Sequence, residues 1–119
     1  SLILLAGSKK IQDDVVISIN KNYRIDCFYN TSQPEEIIFE INYLIDTNKT
    51  TNNTDILLFD FWVFLTNKKE NIKINEQMFQ RIIDFKEDET EGKTFSFSDQ
   101  IIIEKEKYEE GLKIFISLN

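Results

Sequence analysis

Apolar residues in this chain gather into a few dense runs set apart by polar punctuation. The densest is residues 55–65, DILLFDFWVFL, which holds the only Trp, three of the ten Phe and one mid-run carboxylate, Asp60. Such a run is the pattern of a central strand covered on both faces. It is far shorter than the roughly 20 apolar residues that cross a bilayer as a helix.

The other elements follow from pattern and punctuation. Residues 2–5 (LILL) end in Ala6-Gly7-Ser8, which reads as a buried strand entering a turn. Within 9–22, Ile11, Val15, Val16 and Ile19 fall at helical spacing. Their β-branched side chains disfavour a helix and keep a strand over 15–19 open. Residues 23–29 (YRIDCFY) have strand composition. Next, Ser32-Gln33-Pro34-Glu35-Glu36 offers an N-cap, a first-turn Pro and acids at a helix start. Ile37, Ile38, Ile41, Leu44 and Ile45 then line one helical face, whereas a strand would use Ile37, Phe39, Ile41, Tyr43 and Ile45. The start signal favours the helix.

Residues 47–54 (TNKTTNNT) form a polar loop before the central run, and 67–70 form another. Asn75 can cap a helix carrying Met78, Phe79, Ile82 and Ile83 on one stripe. An acidic loop over 86–94 leads to a short strand at 94–98, and 99–110 fits either a strand or a short helix. After Gly111, the alternation of Leu112, Ile114, Ile116 and Leu118 marks a closing strand. Alternating strands and helices predict an α/β fold, a doubly wound five-stranded parallel sheet with crossover helices. The alternative is an all-β antiparallel sandwich. There, 36–46 and 55–65 would form a long hairpin, and 15–19 would pair with 23–29.

Composition narrows the chemistry. At 119 residues, with no linker or repeat, the chain reads as a single domain over 1–119. The start at Ser1 rather than Met suggests an excised N-terminal domain of a longer protein. A net charge of −7 with only two arginines, Arg24 and Arg81, argues against a nucleic-acid-binding face. The absence of His removes Ser-His and Cys-His catalysis and most zinc and haem sites. The single Cys27 excludes an internal disulfide and is read as a small buried hydrophobe in a reducing, cytoplasmic setting. No basic segment precedes the first apolar run, so it is not read as a signal peptide. Three Asn-X-Ser/Thr triplets, at Asn30, Asn48 and Asn52, are attributed to an Asn-rich composition. The acidic run at 87–91 lacks the spacing of an EF-hand loop, and Ala6-Gly7-Ser8 lacks a Gly-rich phosphate fingerprint. No constellation supports hydrolase, transferase or oxidoreductase chemistry, so an enzyme is not expected.

Residues 19–37 (INKNYRIDCFYNTSQPEEI), 55–60 (DILLFD) and 108–116 (YEEGLKIFI) together resemble a response-regulator receiver domain of two-component signalling. That resemblance implies a flavodoxin-like strand order 2-1-3-4-5. It makes Asp60 the phospho-acceptor candidate and Ser98 the phosphate-binding hydroxyl. The family's acidic pair for Mg²⁺ is replaced by Ala6 and Gly7, Ser117 stands near the position of its Lys, and its last helix is missing. The resemblance therefore implies a pseudo-receiver with absent or atypical aspartyl phosphorylation and no cofactor or metal site, Mg²⁺ staying an option that lacks its acidic pair at Ala6 and Gly7. It would signal through protein–protein contacts, with a histidine kinase or an output domain as partner, or as a homodimer. No nucleic acid or membrane contact is expected. Phe61, Trp62, Val63 and Phe64 exceed what the family places there. They are the interaction-patch candidate, with plain core as the competing reading. The rival functions are an all-β binding or adhesion module and an acidic inhibitor or immunity protein that masks a basic partner.

Overall fold

A repeat of two residues, not 3.6, decides burial along most of this chain. The computed structural model describes residues 2–51, 53–67, 72–85, 92–109 and 111–118. Among them run β1 (Leu2–Gly7), β2 (Lys9–Gln12), β3 (Val15–Ile19), β4 (Arg24–Tyr29), β5 (Glu36–Lys49), β6 (Ile56–Asn67), β7 (Lys73–Asp84) and β8 (Lys93–Glu104). A short helix α1 (Lys105–Glu109) and β9 (Leu112–Ser117) complete the order.

The strands form two sheets. The front sheet has the order β1-β9-β6-β7. In the back sheet, β8 lies along one edge of β5, and β4 and β3 share the other edge, on the first and second parts of β5. β2 extends the sheet beyond β3 through a two-residue turn, in which Asp13 takes the left-handed conformation (φ 54°) that Asp tolerates better than most residues. All described pairings are antiparallel except that of β1 with β9.

The two sheets pack face to face in a body of 49 × 30 × 20 Å, and one buried cluster draws on both. From β5 it takes Ile37, Phe39, Ile41, Tyr43 and Ile45, and from β6 Leu57, Phe59, Phe61, Val63 and Leu65. At its centre Tyr43 stacks on Phe61 across the sheets, with centroids 3.7 Å apart. Phe97 extends this group, 5.6 Å from Tyr43 and 5.4 Å from Phe59. Each such side chain contributes roughly 1.5–3 kcal/mol by leaving water.

This architecture overturns the receiver-like α/β fold, its parallel five-stranded sheet and its 2-1-3-4-5 order. The physical reason is clearest in β5. Its residues are buried at 37, 39, 41, 43, 45, 47 and 49 and half-buried or exposed between, which is strand alternation. What looked like a helix start is the β4–β5 turn. The Asn30 side-chain oxygen accepts the Ser32 N–H (3.1 Å), and the Glu36 N–H donates to Gln33 O (2.9 Å). Asn75 does not cap a helix but pairs with Leu65 in the β6–β7 ladder. The residues 9–22 read at helical spacing are β2 and β3, and 99–104 continue β8. The sandwich alternative fits the architecture but not its pairings, because β5 and β6 lie in different sheets and β3 pairs with β5, not β4.

Candidate interaction surface

Strand alternation divides the central run into two sets with different roles. Phe61 and Val63 point inward and are fully buried, so half of the predicted patch is core. Trp62 and Phe64 point outward and are half-buried on the outer face of the front sheet. Around them the registers place Met78 and Ser117 beside Trp62, and Phe115 and Glu76 beside Phe64. Phe64 and Phe115 stack in parallel at 4.9 Å. Further along, Leu58 faces Ile82, and both are exposed (46% and 60%). An apolar band thus runs from Ile56 and Leu58 to Phe64 and Phe115, with Asp60 opposite Gln80 in its middle. Such a band of large side chains on an outer face marks an interaction site more often than an isolated exposed Leu does.

The charge on this face is uneven. Asp84 lies opposite Ile56 at one end, near Asp55. At the other end Lys73 extends over the Phe64 ring (5.4 Å) and pairs with Glu76 (3.3 Å), and Lys113 lies opposite Thr66.

The outer face of the back sheet is mixed: Phe28, Ile38 and Ile102 form an apolar row towards one end, and polar side chains bond one another along its middle. Asn42 donates to Asp26 (3.2 Å) and Glu40 (3.1 Å), and Gln100 donates to Glu40 (3.2 Å). Asp46 accepts from Asn20 (3.0 Å) and Thr94 (2.7 Å). Ser98 lies on this face, exposed and opposite Asn42. Asp60 and Ser98 therefore point away from opposite sides of the sandwich and form no phosphate pocket. The all-β, mostly antiparallel architecture overturns the response-regulator, phosphorelay and flavodoxin-like assignments. Among the described residues no group of three or more Cys, Asp and Glu could hold a metal ion.

Two polar groupings tie the sandwich together. On the edge where β7 and β8 meet, the buried Asp99 carboxylate accepts from the Tyr43 hydroxyl (2.7 Å) and pairs with the Arg81 guanidinium. Burial raises the Tyr43 hydroxyl above its ordinary pKa, against a lowering by Arg81. At one end, the Asp14 carboxylate accepts from the Thr51 hydroxyl (2.6 Å), the Asn53 N–H (3.0 Å) and the Thr54 hydroxyl, which holds the β5–β6 crossover to the β2–β3 turn. The Thr51 and Thr54 bonds lead in lowering the Asp14 pKa below the usual carboxylate range. A recess of about 450 Å³ beside α1 is lined by Gln33, Glu35, Glu36, Glu104 and Glu106.

Cys27 is exposed on edge strand β4, not buried. The sequence reading named Trp62 and Phe64 but missed Leu58, Ile82, Met78 and Phe115. Met78 and Ile82 had been assigned to a helical stripe with Phe79 and Ile83, and only a strand period separates the pairs. The acidic run at 87–91 and Asn52 lie outside the described residues. Among the described residues no helix is long and apolar enough to cross a membrane. Comparison with protein-family models, curated proteins and solved structures finds no match to this chain.

Proposed function

We propose that the chain is a non-enzymatic β-sandwich binding module that engages a protein partner through the outer face of its front sheet. The observation that carries this reading is the long apolar band of Leu58, Ile82, Trp62, Met78, Phe64 and Phe115 on one outer face, whereas the opposite face has a polar middle and a single apolar row of Phe28, Ile38 and Ile102. Aromatic residues and Met are enriched at protein interfaces, and an aromatic anchor near the centre often carries most of the binding energy. Protein contact was already the expected mode of action, but the receiver scaffold and its kinase are replaced by a sandwich with one adhesive face.

The test compares the two faces with a photo-crosslinking amino acid. Placed at Trp62 it should give discrete protein adducts, and placed at Gln100 on the polar face it should give almost none. Equal labelling from both positions, or none from Trp62, would sink the reading.

A further inference from the structure

We infer that the occupant of the apolar face is a second copy of this chain, packed face to face with its strands antiparallel to those of the first. The inference rests on the binding-module reading above and adds the identity of the partner. Three observations bear on it.

The first is charge layout. Along β7 the outer face ends in Asp84 at one extreme and in Lys73, paired with Glu76, at the other, with Asp60 near the middle of β6 and Lys113 at the Lys73 end of β9. A two-fold axis in the plane of the sheet and perpendicular to its strands lays β7 over β7 of the second copy, running the other way. Asp84 of each copy then meets Lys73 of the other, twice per dimer. An axis parallel to the strands would instead bring Asp84 to Asp84 and Lys73 to Lys73 if it ran along β7, or Lys73 to Lys113 if it ran along β6. The charges thus favour one closed, isologous arrangement over its rival.

The second observation is the apolar layout. When the axis passes between Asp60 and Trp62, Leu58 of one copy meets Phe64 of the other, while Asp60 lies beside Trp62 and Ile82 beside Glu76 of the other copy. Trp62 then lies close to the axis, where an anchor residue is most completely buried.

The third is size. Under this axis β6 and β7 of the two copies overlap over about ten residues each, at roughly 3.3 Å per residue and 4.8 Å between strands, while the six-residue β9 has no counterpart, so the contact is on the order of 400 Å² per copy. The total is about 800 Å², below the usual range for specific complexes. A net charge of −7 on each copy opposes association further, so the dimer is weak and concentration-dependent.

Sedimentation over a concentration series provides the test, with Trp62 fluorescence read in parallel. The average mass should rise towards two chains as concentration increases, and Trp62 emission should move to shorter wavelength. Leu58→Arg should remain monomeric with an unchanged thermal midpoint. Asp84→Lys and Lys73→Asp should each weaken the dimer by about tenfold or more. An equimolar mixture of these two variants should recover near wild-type affinity, because both contacts then join Lys to Asp.

A chain that stays monomeric at every concentration overturns the inference, as does a dimer indifferent to Leu58→Arg. A mixture no tighter than the single variants overturns the antiparallel arrangement. Crosslinking separates this failure from that of the binding-module reading. Adducts from position 62 with a foreign protein would leave the module and remove the self-partner, whereas no adducts would remove both.

Discussion

The two outer faces of this sandwich are covers for the same interior, yet they differ in kind. On the back sheet, Glu40, Asn42, Asp26 and Gln100 bond one another, and Asp46 gathers Asn20 and Thr94. On the front sheet, Leu58, Trp62, Phe64, Met78 and Ile82 face outward. Their inward partners are alike, since β5 and β6 both bury alternate large apolar residues. Folding needs only the inward set. The outward set is free to vary without loss of the core, so the long apolar band on the front face reflects a demand other than stability.

Breaking the shared interior should have the largest effect. Phe61→Ala removes the ring stacked on Tyr43 and should cost about 3–5 kcal/mol in denaturant unfolding. The same change at outward-facing Phe64 should cost far less, and equal losses would erase the distinction between inward and outward positions. Next comes the lock between the sheets. Asp99→Ala leaves the buried Tyr43 hydroxyl unpaired and Arg81 without its carboxylate. A fully buried pair would lose about 3–5 kcal/mol, and the partial exposure of Arg81 reduces this to about 2–3 kcal/mol.

Tyr43→Phe is milder, about 1 kcal/mol at neutral pH, and it carries a pH signature. The folded-state pKa of Tyr43 is raised, so its contribution is fully present below the ordinary value near 10 and is lost as the pH rises above it. Wild-type stability should therefore fall above about pH 10, and Tyr43→Phe should flatten that fall. Unfolding curves at pH 8 to 11 measure both.

Surface changes should move stability least. Leu58→Lys on the apolar face and Gln100→Ala on the polar one should each stay within about 0.5 kcal/mol, while only Leu58→Lys should alter partner crosslinking. Asp14→Asn should be seen in hydrogen exchange, with faster exchange at the amide of Asn53, which donates to the Asp14 carboxylate. The lowered pKa of Asp14 means that this staple is present above the usual carboxylate range and is lost only as the pH falls below it.

The sequence made strands visible wherever the two periods disagreed. Leu112, Ile114 and Ile116 alternate with polar or half-buried partners and could be nothing else. It misled where both periods were satisfied. Ile37, Ile41 and Ile45 are spaced by four, which keeps one face of a strand as well as of a helix, and the Asx turn at Asn30 imitated a helix cap. From there an α/β order and a family resemblance followed. The outward set was half legible for a related reason. Trp62 and Phe64 stood out inside an apolar run, but which of their neighbours shared the face depended on cross-strand register, and no local pattern encodes that. Asp99 does not stand out in the sequence, because its partners are brought in from β5 and β7.

The pairing of β1 with β9 has a consequence for the order of folding. Leu2 and Lys113 are register partners at opposite extremes of the chain, and the front sheet cannot be completed until both have been made. During synthesis the β2–β5 segment can begin to assemble early, while β6 and β7 must wait as a hairpin with a sticky outer surface. Closing so long a loop is an entropic cost met late, and refolding should take milliseconds to seconds, as in other chains dominated by distant contacts. The apolar band is then most exposed to wrong neighbours before the last strand arrives.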